Sequence, residues 1–394
     1  MKIRPETIIT FASYLALVAA FGLTAIAMNS HFWGGPPQDF LIFYRSSIGW
    51  LSHGMVYAQN TPNMNAPTIT WLMAPLGLLS APHAAAVWWA LSLACLVASV
   101  SIAARESNRV YPVLTASLVL ITEPGFANIR LGQIGLVVML PLTLAWAADR
   151  KDRASAGAWL GLTIYMKPFL LVLLAYLGWR RSRRAIIACV ATMTALAVLG
   201  IVAGGVGVYR DWIRALFSPL NYANSLNASF FGLLSRMFES HVGLRQFVNL
   251  NRPLIATLSV LASALVFVFV YGRARNANRD VAWAALIFWS ILASPLGWVY
   301  YMSIGVAPLA VALHGRRAIA CVILALYPLI LFRFLTLQMF TFGRLGTVTL
   351  ASVYMWSLLL ILFGVLSSEP DNSRCSGLTS QRNKSASKAA PLPQ

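Results

Sequence analysis

Apolar runs recur along this chain from Thr7 to the neighbourhood of Leu366, broken by short polar or basic clusters. Most are close to the roughly 20 residues a helix needs to cross the hydrocarbon core of a bilayer. Ile8 to Met28, Ala84 to Ala104, Leu131 to Ala148, Ala185 to Ala203, Pro253 to Tyr271 and Thr347 to Leu366 read as single spans. Tyr111 to Thr122, Met302 to Leu313 and Ala318 to Leu331 read as shorter ones, and a further run ends at Ser294. The first run is too long for the apolar centre of a signal peptide, so an uncleaved span is expected there. The pattern predicts an all-α polytopic membrane protein with about twelve helices.

Basic residues give the bundle an orientation, because cytoplasmic loops collect Lys and Arg. Lys2 and Arg4, Arg105 and Arg109, Arg150 to Arg153, Arg273 to Arg279 and Arg316 with Arg317 all fall on one side if the runs alternate. Both termini are then cytoplasmic and the segment Asn29 to Asn65 lies outside. Residues 1–366 form the membrane domain. Residues 367–394, rich in Ser, Lys, Arg and Pro and without aromatics, are expected to be a disordered cytoplasmic tail.

One interval breaks the rhythm. Ala154 to Met166 and Phe169 to Trp179 are each short, are joined by Lys167-Pro168, and run into Arg180-Arg181-Ser182-Arg183-Arg184. A single helix through both would put basic clusters on opposite faces of the membrane. Two short helices with Lys167 at an outer, water-lined apex avoid this, and proline supplies the break. A polar segment is expected from Gly204 to Asn251.

Composition agrees with the pattern: 59% of the 394 residues are hydrophobic and 10% are charged, with a mean hydropathy of +0.71. The net charge of +19 would suggest nucleic acid in a soluble protein. Here it is dispersed in loops, so membrane lipids and not nucleic acid are the expected contacts. The four cysteines and five histidines are scattered, and no paired carboxylates stand on the outer face, so no metal and no cofactor is expected. Asp149 and Asp152 sit among basic residues and read as a solvated charge mixture. Asn227-Ala228-Ser229 matches a glycosylation sequon, a frequent chance pattern.

The polar residues least suited to lipid gather outside: Asp39, Glu123, Arg130, Lys167, Arg210, Asp211 and Arg214. Only 11 residues in the chain are acidic, and a carboxylate at a membrane surface must be solvated, paired or used. Asp39 precedes Phe40 to Leu51, whose apolar spacing predicts an interfacial amphipathic helix. It can cap that helix, act as a general base, or do both. Lys167 either snorkels to headgroups or lines a cavity for a phosphate. Glu123 to Gln133 reads as a polar turn in which Glu123 pairs with Arg130 and Asn128 and Gln133 meet sugar hydroxyls or satisfy the turn.

Taken in order, these residues resemble glycosyltransferase family 87, whose members use polyprenyl-phosphate sugars and have the type C membrane fold. The resemblance is carried by Asp39-Phe40 with Tyr44, Gly54 and Tyr57, Pro67, Ala74-Pro75-Leu76, Asn128 with Gly132-Gln133, Lys167-Pro168, Asn227 with Ser229 and Arg236, and Ser294-Pro295 with Trp298. It implies that Asp39 is the catalytic aspartate of the first outer loop and that Lys167, with Arg130, lies near the donor phosphate. Glu123, Asn128, Gln133, Tyr300 and Tyr301 are the expected substrate-binding residues. The implied partners are a polyprenyl-phosphate sugar and a lipid or glycan acceptor. The implied reaction is inverting hexosyl transfer, mannose foremost, on the outer face of a bacterial inner membrane. The sequence departs from the family pattern at Asn65-Ala66, where an aromatic is usual, at Ile134-Gly135, where asparagine is common, and at Tyr300-Tyr301, where histidine often stands. A transporter or flippase of lipid-linked sugars, or a type C transferase using a pentose or another sugar, would use similar charges.

Overall fold

The computed structural model describes residues 5–52, 56–57, 63–108, 110–216, 222–239, 247–313 and 343–367. The expected span Ala318 to Leu331, Lys2, Arg4, Gly54, Arg109, Arg316, Arg317 and the tail beyond Ser367 lie outside them. The first half of the described chain forms α1 (Pro5–Gly34), α2 (Gln38–Leu51), α3 (Pro67–Leu72), α4 (Ala81–Glu106), α5 (Pro112–Ile121), α6 (Glu123–Leu131) and α7 (Gly135–Arg150). It continues with α8 (Ser155–Met166), α9 (Val172–Trp179), α10 (Arg183–Leu216), α11 (Phe230–Phe238), α12 (Arg252–Ala274), α13 (Arg279–Ala293), α14 (Val306–Ala312), α15 (Gly343–Val348) and α16 (Val353–Leu366).

Among the described residues, five stretches are long and apolar enough to cross a membrane: α1, α4, α10, α12 and Gly343–Leu366. Phe21 of α1, Val202 of α10 and Leu265 of α12 stand 76%, 78% and 75% exposed, a surface that only lipid satisfies. The chain is an all-α polytopic membrane protein, as its apolar pattern predicted. At the centre lie α7 and α13, buried nearly all round from Leu136 to Ala147 and from Val281 to Leu292, as helices without a polar face must be.

The tightest crossing joins α8 to α10. A Cβ at Gly157 would come within 1.7 Å of the Ala185 carbonyl oxygen, and one at Gly161 within 2.5 Å of that of Cys189. Gly157 and Gly161 are spaced as Gly-x-x-x-Gly, the small-residue stripe that lets two membrane helices meet backbone to backbone. The predicted break after Met166 is present: Pro168 opens a 3-10 turn, Pro168–Leu171, and α9 follows.

The expected polar segment from Gly204 differs. Gly205, at φ 73° and ψ 175°, bends α10, and helix resumes to Leu216 with Val208 and Ala215 buried against Tyr57 and beside Trp50 of α2. The alternation of Val208, Trp212 and Ala215 with Arg210, Asp211 and Arg214 is helical, so the charged residues lie along one exposed face.

Polar groups tie the helices at two opposite ends. At one end Arg150 donates to both oxygens of Asp280 at 2.7 Å, Lys151 meets Glu106 at 2.5 Å and Arg279 meets Asp152 at 2.6 Å. Asp149 is not solvated as its sequence neighbours suggested. It is 5% exposed and accepts from the Tyr176 hydroxyl and the Trp283 indole, both at 2.9 Å. The other end, about 24 Å away along the 16 residues of α7, carries the candidate site.

Candidate functional site

Asp39 lies in the first turn of α2, but Pro37 occupies the N-cap and no side chain caps the helix. The capping role is therefore not the one its carboxylate fills. Oδ2 instead accepts a 2.6 Å hydrogen bond from Nε2 of Gln133. Burial raises the Asp39 carboxyl above its ordinary value, while the Gln133 bond and, behind it, the charge of Arg130 pull it down.

Gln133 reaches Asp39 because of the turn before it. Residues Glu123 to Leu131, expected to be a turn, form helix α6, which ends at Gly132 in the left-handed region with φ 69°, a conformation that favours glycine. A Cβ at Gly132 would stand 2.6 Å from Cβ of Phe40. The Gly132 carbonyl accepts from Trp88 at 3.0 Å, and the Gln133 amide nitrogen donates to the Asn128 carbonyl at 2.9 Å. The side chain of Asn128 faces the other way. Its Nδ2 donates to the carbonyls of Pro124 and Tyr300 at 2.7 and 3.0 Å and to Oγ of Ser303 at 3.2 Å. Asn128 thus joins α6 to the 3-10 turn Val299–Gly305. Glu123, fully buried, holds Arg130 at 3.8 Å.

Tyr300 faces Asp39 closely enough to feel its charge. Its ring lies 6.2 Å from that of Trp298, nearly parallel, and 4.7 Å from Tyr301. Tyr301 in turn contacts Phe169 at 5.1 Å and receives Nζ of Lys167 over its face at 5.1 Å. Lys167 is 7% exposed. Its ammonium donates to Oδ1 of Asn65 at 3.2 Å, and it has no carboxylate partner among the described residues. Five of the predicted site residues thus lie together, Asp39, Gln133, Tyr300, Tyr301 and Lys167, with Asn128 bracing the Tyr300 turn from behind and Glu123 and Arg130 beside it. Arg210, Asp211 and Arg214 are not drawn in. Arg214 pairs with Asp211 at 3.5 Å on the exposed face of α10.

Asn65 is the residue that sequence reading did not assign. Its own amide donates to Asn63 Oδ1, whose Nδ2 reaches Oγ of Ser46 in α2, each at 3.0 Å. Helix α2 therefore carries Asp39 at its start and, through Ser46, Asn63 and Asn65, the anchor of Lys167. The signal available was Asn65-Ala66 itself, where the chain departs from the aromatic usual in the family pattern.

Residues 63–296 match the sequence profile of glycosyltransferase family 87. The chain belongs to this family. Asp39 precedes the matched segment and Tyr300 and Tyr301 follow it, yet Gln133, Asn128 and Lys167, which lie within it, hold all three. The glycosyltransferase is also 26% identical over 330 residues, 75% of each chain, to a polyprenol-phosphate-mannose-dependent alpha-(1-2)-phosphatidylinositol mannoside mannosyltransferase from Mycobacterium tuberculosis (strain ATCC 25618 / H37Rv). No solved structure matches. The membrane glycosyltransferase expected from the sequence is thereby borne out.

Other buried polar groups brace the site. Asn227, fully buried and so closed to glycosylation, donates to the carbonyls of Tyr222 and Pro295 at 3.0 Å and pairs with Trp298 as an isolated bridge. Arg236, also fully buried, donates to the carbonyls of Asn224 and Asn227 at 2.8 and 3.0 Å and to Ser352 at 3.0 Å. Burial lowers its guanidinium to about 9, so it remains charged at neutral pH. Among the described residues no three metal-ligating side chains come together.

Proposed function

We propose that this glycosyltransferase moves a hexose, mannose foremost, from a polyprenyl-phosphate sugar to a hydroxyl of a lipid or glycan acceptor, with inversion at the anomeric carbon. The observation that carries the reading is Lys167, a buried ammonium with an amide oxygen and an aromatic face around it and no carboxylate partner among the described residues. Burying a cation without an anion is costly, and a donor phosphate would offset that cost. The mannosyltransferase relative, which depends on polyprenol-phosphate mannose by name, supports the same donor.

In the reaction the acceptor oxygen attacks the anomeric carbon and its proton passes to the carboxylate of Asp39. The bond from that carbon to the phosphate oxygen breaks, and its electron pair leaves with the polyprenyl phosphate. The departing group gains one negative charge, which Lys167 and Arg130 stabilise. Inversion in one displacement requires a single base and no carboxylate nucleophile. Tyr300 and Tyr301 offer faces against which the C–H surface of a sugar packs. Helix α2 lies along the membrane surface, and the site opens outside, because the opposite end of the bundle carries Arg150, Lys151, Arg273, Arg275 and Arg279.

The test incubates purified protein with polyprenyl-phosphate mannose, glucose or arabinose and a membrane-lipid extract, then identifies the product and its anomeric configuration by mass spectrometry and NMR. Mannosylated lipid of inverted configuration, absent with a folded Asp39→Asn variant, is the expected result. Transfer retained by that variant would remove Asp39 as the base. Translocation of a lipid-linked sugar in vesicles with no new glycosidic bond would favour a flippase.

A further inference from the structure

We infer that Gln133 is the positioning residue of the base: its amide is locked onto Oδ2 of Asp39, which leaves Oδ1 as the oxygen that takes the acceptor's proton. The inference rests on the reading of Asp39 as general base. It comes from the geometry of the Asn128 to Gln133 turn and gives Gln133 a task other than the sugar contact expected of it.

The turn holds Gln133 from three sides. Its backbone nitrogen donates to the Asn128 carbonyl, the preceding Gly132 carbonyl accepts from Trp88, and the left-handed Gly132 packs so closely on Phe40 that no side chain fits between them. Gln133 is 8% exposed. Its amide therefore has little freedom to swing towards a substrate, and the 2.6 Å bond to Asp39 is already formed without one. An ionised carboxylate has only lone pairs to offer, so the amide presents its N–H and not its oxygen.

That bond has a second effect. A donated hydrogen bond favours the charged form of a carboxylate, and Asp39 stands in surroundings that otherwise favour the protonated form. Among the described residues, the titratable groups facing it from neighbouring elements are Arg130, backed by Glu123, on α6 and Tyr300, with Tyr301 beside it, on the turn Val299–Gly305. None of these donates a hydrogen bond to Oδ2. Loss of Gln133 thus both frees the carboxylate to rotate and makes it harder to ionise.

The experiment compares wild type, Gln133→Leu, Gln133→Glu and Asp39→Asn. It measures kcat and donor KM against pH with polyprenyl-phosphate mannose, and melting temperature against pH in detergent without substrate. Gln133→Leu is expected to lower kcat roughly 10- to 100-fold, the loss of one charge-assisted hydrogen bond, with donor KM nearly unchanged. The acid limb of its rate profile should move to higher pH. Gln133→Glu sets a second carboxyl against Asp39, so the pair shares a proton and the acid limb should move up further. A residue that merely fills space would lower the melting temperature and leave the acid limb where it is, and that result would overturn the inference. Should Gln133→Leu not fold, a wild-type profile in Gln133→Glu would overturn it equally. Transfer by Asp39→Asn would instead remove the base assignment itself, whereas normal profiles in both Gln133 variants beside an inactive Asp39→Asn would remove only the role of Gln133.

Discussion

Asn65 and Lys167, 102 positions apart in the chain, meet through a 3.2 Å hydrogen bond that fixes a buried ammonium beside the face of Tyr301. The asparagine oxygen is a neutral acceptor, so it holds the lysine in place without cancelling its charge, and two of the three ammonium protons remain for an incoming anion. Replacing Asn65 by leucine removes that anchor. A hydrogen bond to a charged group contributes about 1.5–3 kcal/mol, so donor KM should rise roughly tenfold or more while kcat falls less. Steady-state kinetics with varied donor checks this. A change in kcat alone would mean that Lys167 acts without this support.

Asp39 gives a pH dependence whose sign follows from its burial. Its carboxyl is raised in the folded protein, so the native state binds the proton more tightly than the unfolded chain. Stability from this group is complete below the ordinary aspartate value and is lost as pH rises through the folded one. Asp39→Asn keeps an oxygen for Gln133 and carries no charge. The variant should match wild type in melting temperature at low pH and exceed it at neutral pH. Activity should run the other way, with wild-type rate climbing as Asp39 ionises, its acid limb above the range of an exposed aspartate.

Much of this was legible in the sequence, for reasons that differ by residue. The break at Lys167-Pro168 was readable because proline and the flanking charge clusters act locally. Asp39 was readable because acids are rare in so apolar a chain. The helix from Glu123 to Leu131 was not, since Pro124, Gly125 and Asn128 have poor intrinsic helix propensity and the segment is held by contacts with Trp89, at 2.9 Å, and with Tyr300. Asp149 looked solvated because its partners, Tyr176 and Trp283, lie 27 and 134 positions away. Asn65 stayed hidden because its meaning depends on Lys167, which only the fold brings near.

Arg236 supports the aromatic side of the site from behind. It binds the Asn224 and Asn227 carbonyls and Ser352, and Asn227 holds the loop that carries Trp298 and Tyr300. Arg236→Met leaves those acceptors buried without a donor, each at a cost of about 1–3 kcal/mol. The expected result is a melting temperature lower by several degrees together with a loss of transfer. A variant that melts earlier but transfers normally would separate the Trp298 loop from the chemistry.

Asp149 offers the contrasting case at the far end of α7. Asp149→Leu strips the Tyr176 hydroxyl and the Trp283 indole of their shared acceptor inside the core. Two buried donors left unsatisfied should cost about 2–6 kcal/mol. Asp149→Asn retains an acceptor oxygen and should cost much less. Neither residue change touches the side chains that hold Asp39 and Lys167, which lie at the opposite end of α7, about 24 Å away along its 16 residues. Transfer per folded molecule should therefore stay near wild type in both variants, measured as activity normalised to the fraction surviving gel filtration. Inactivity in protein that remains folded would mean that the two ends of the bundle are coupled, as alternating access requires and a transferase with a preformed site does not.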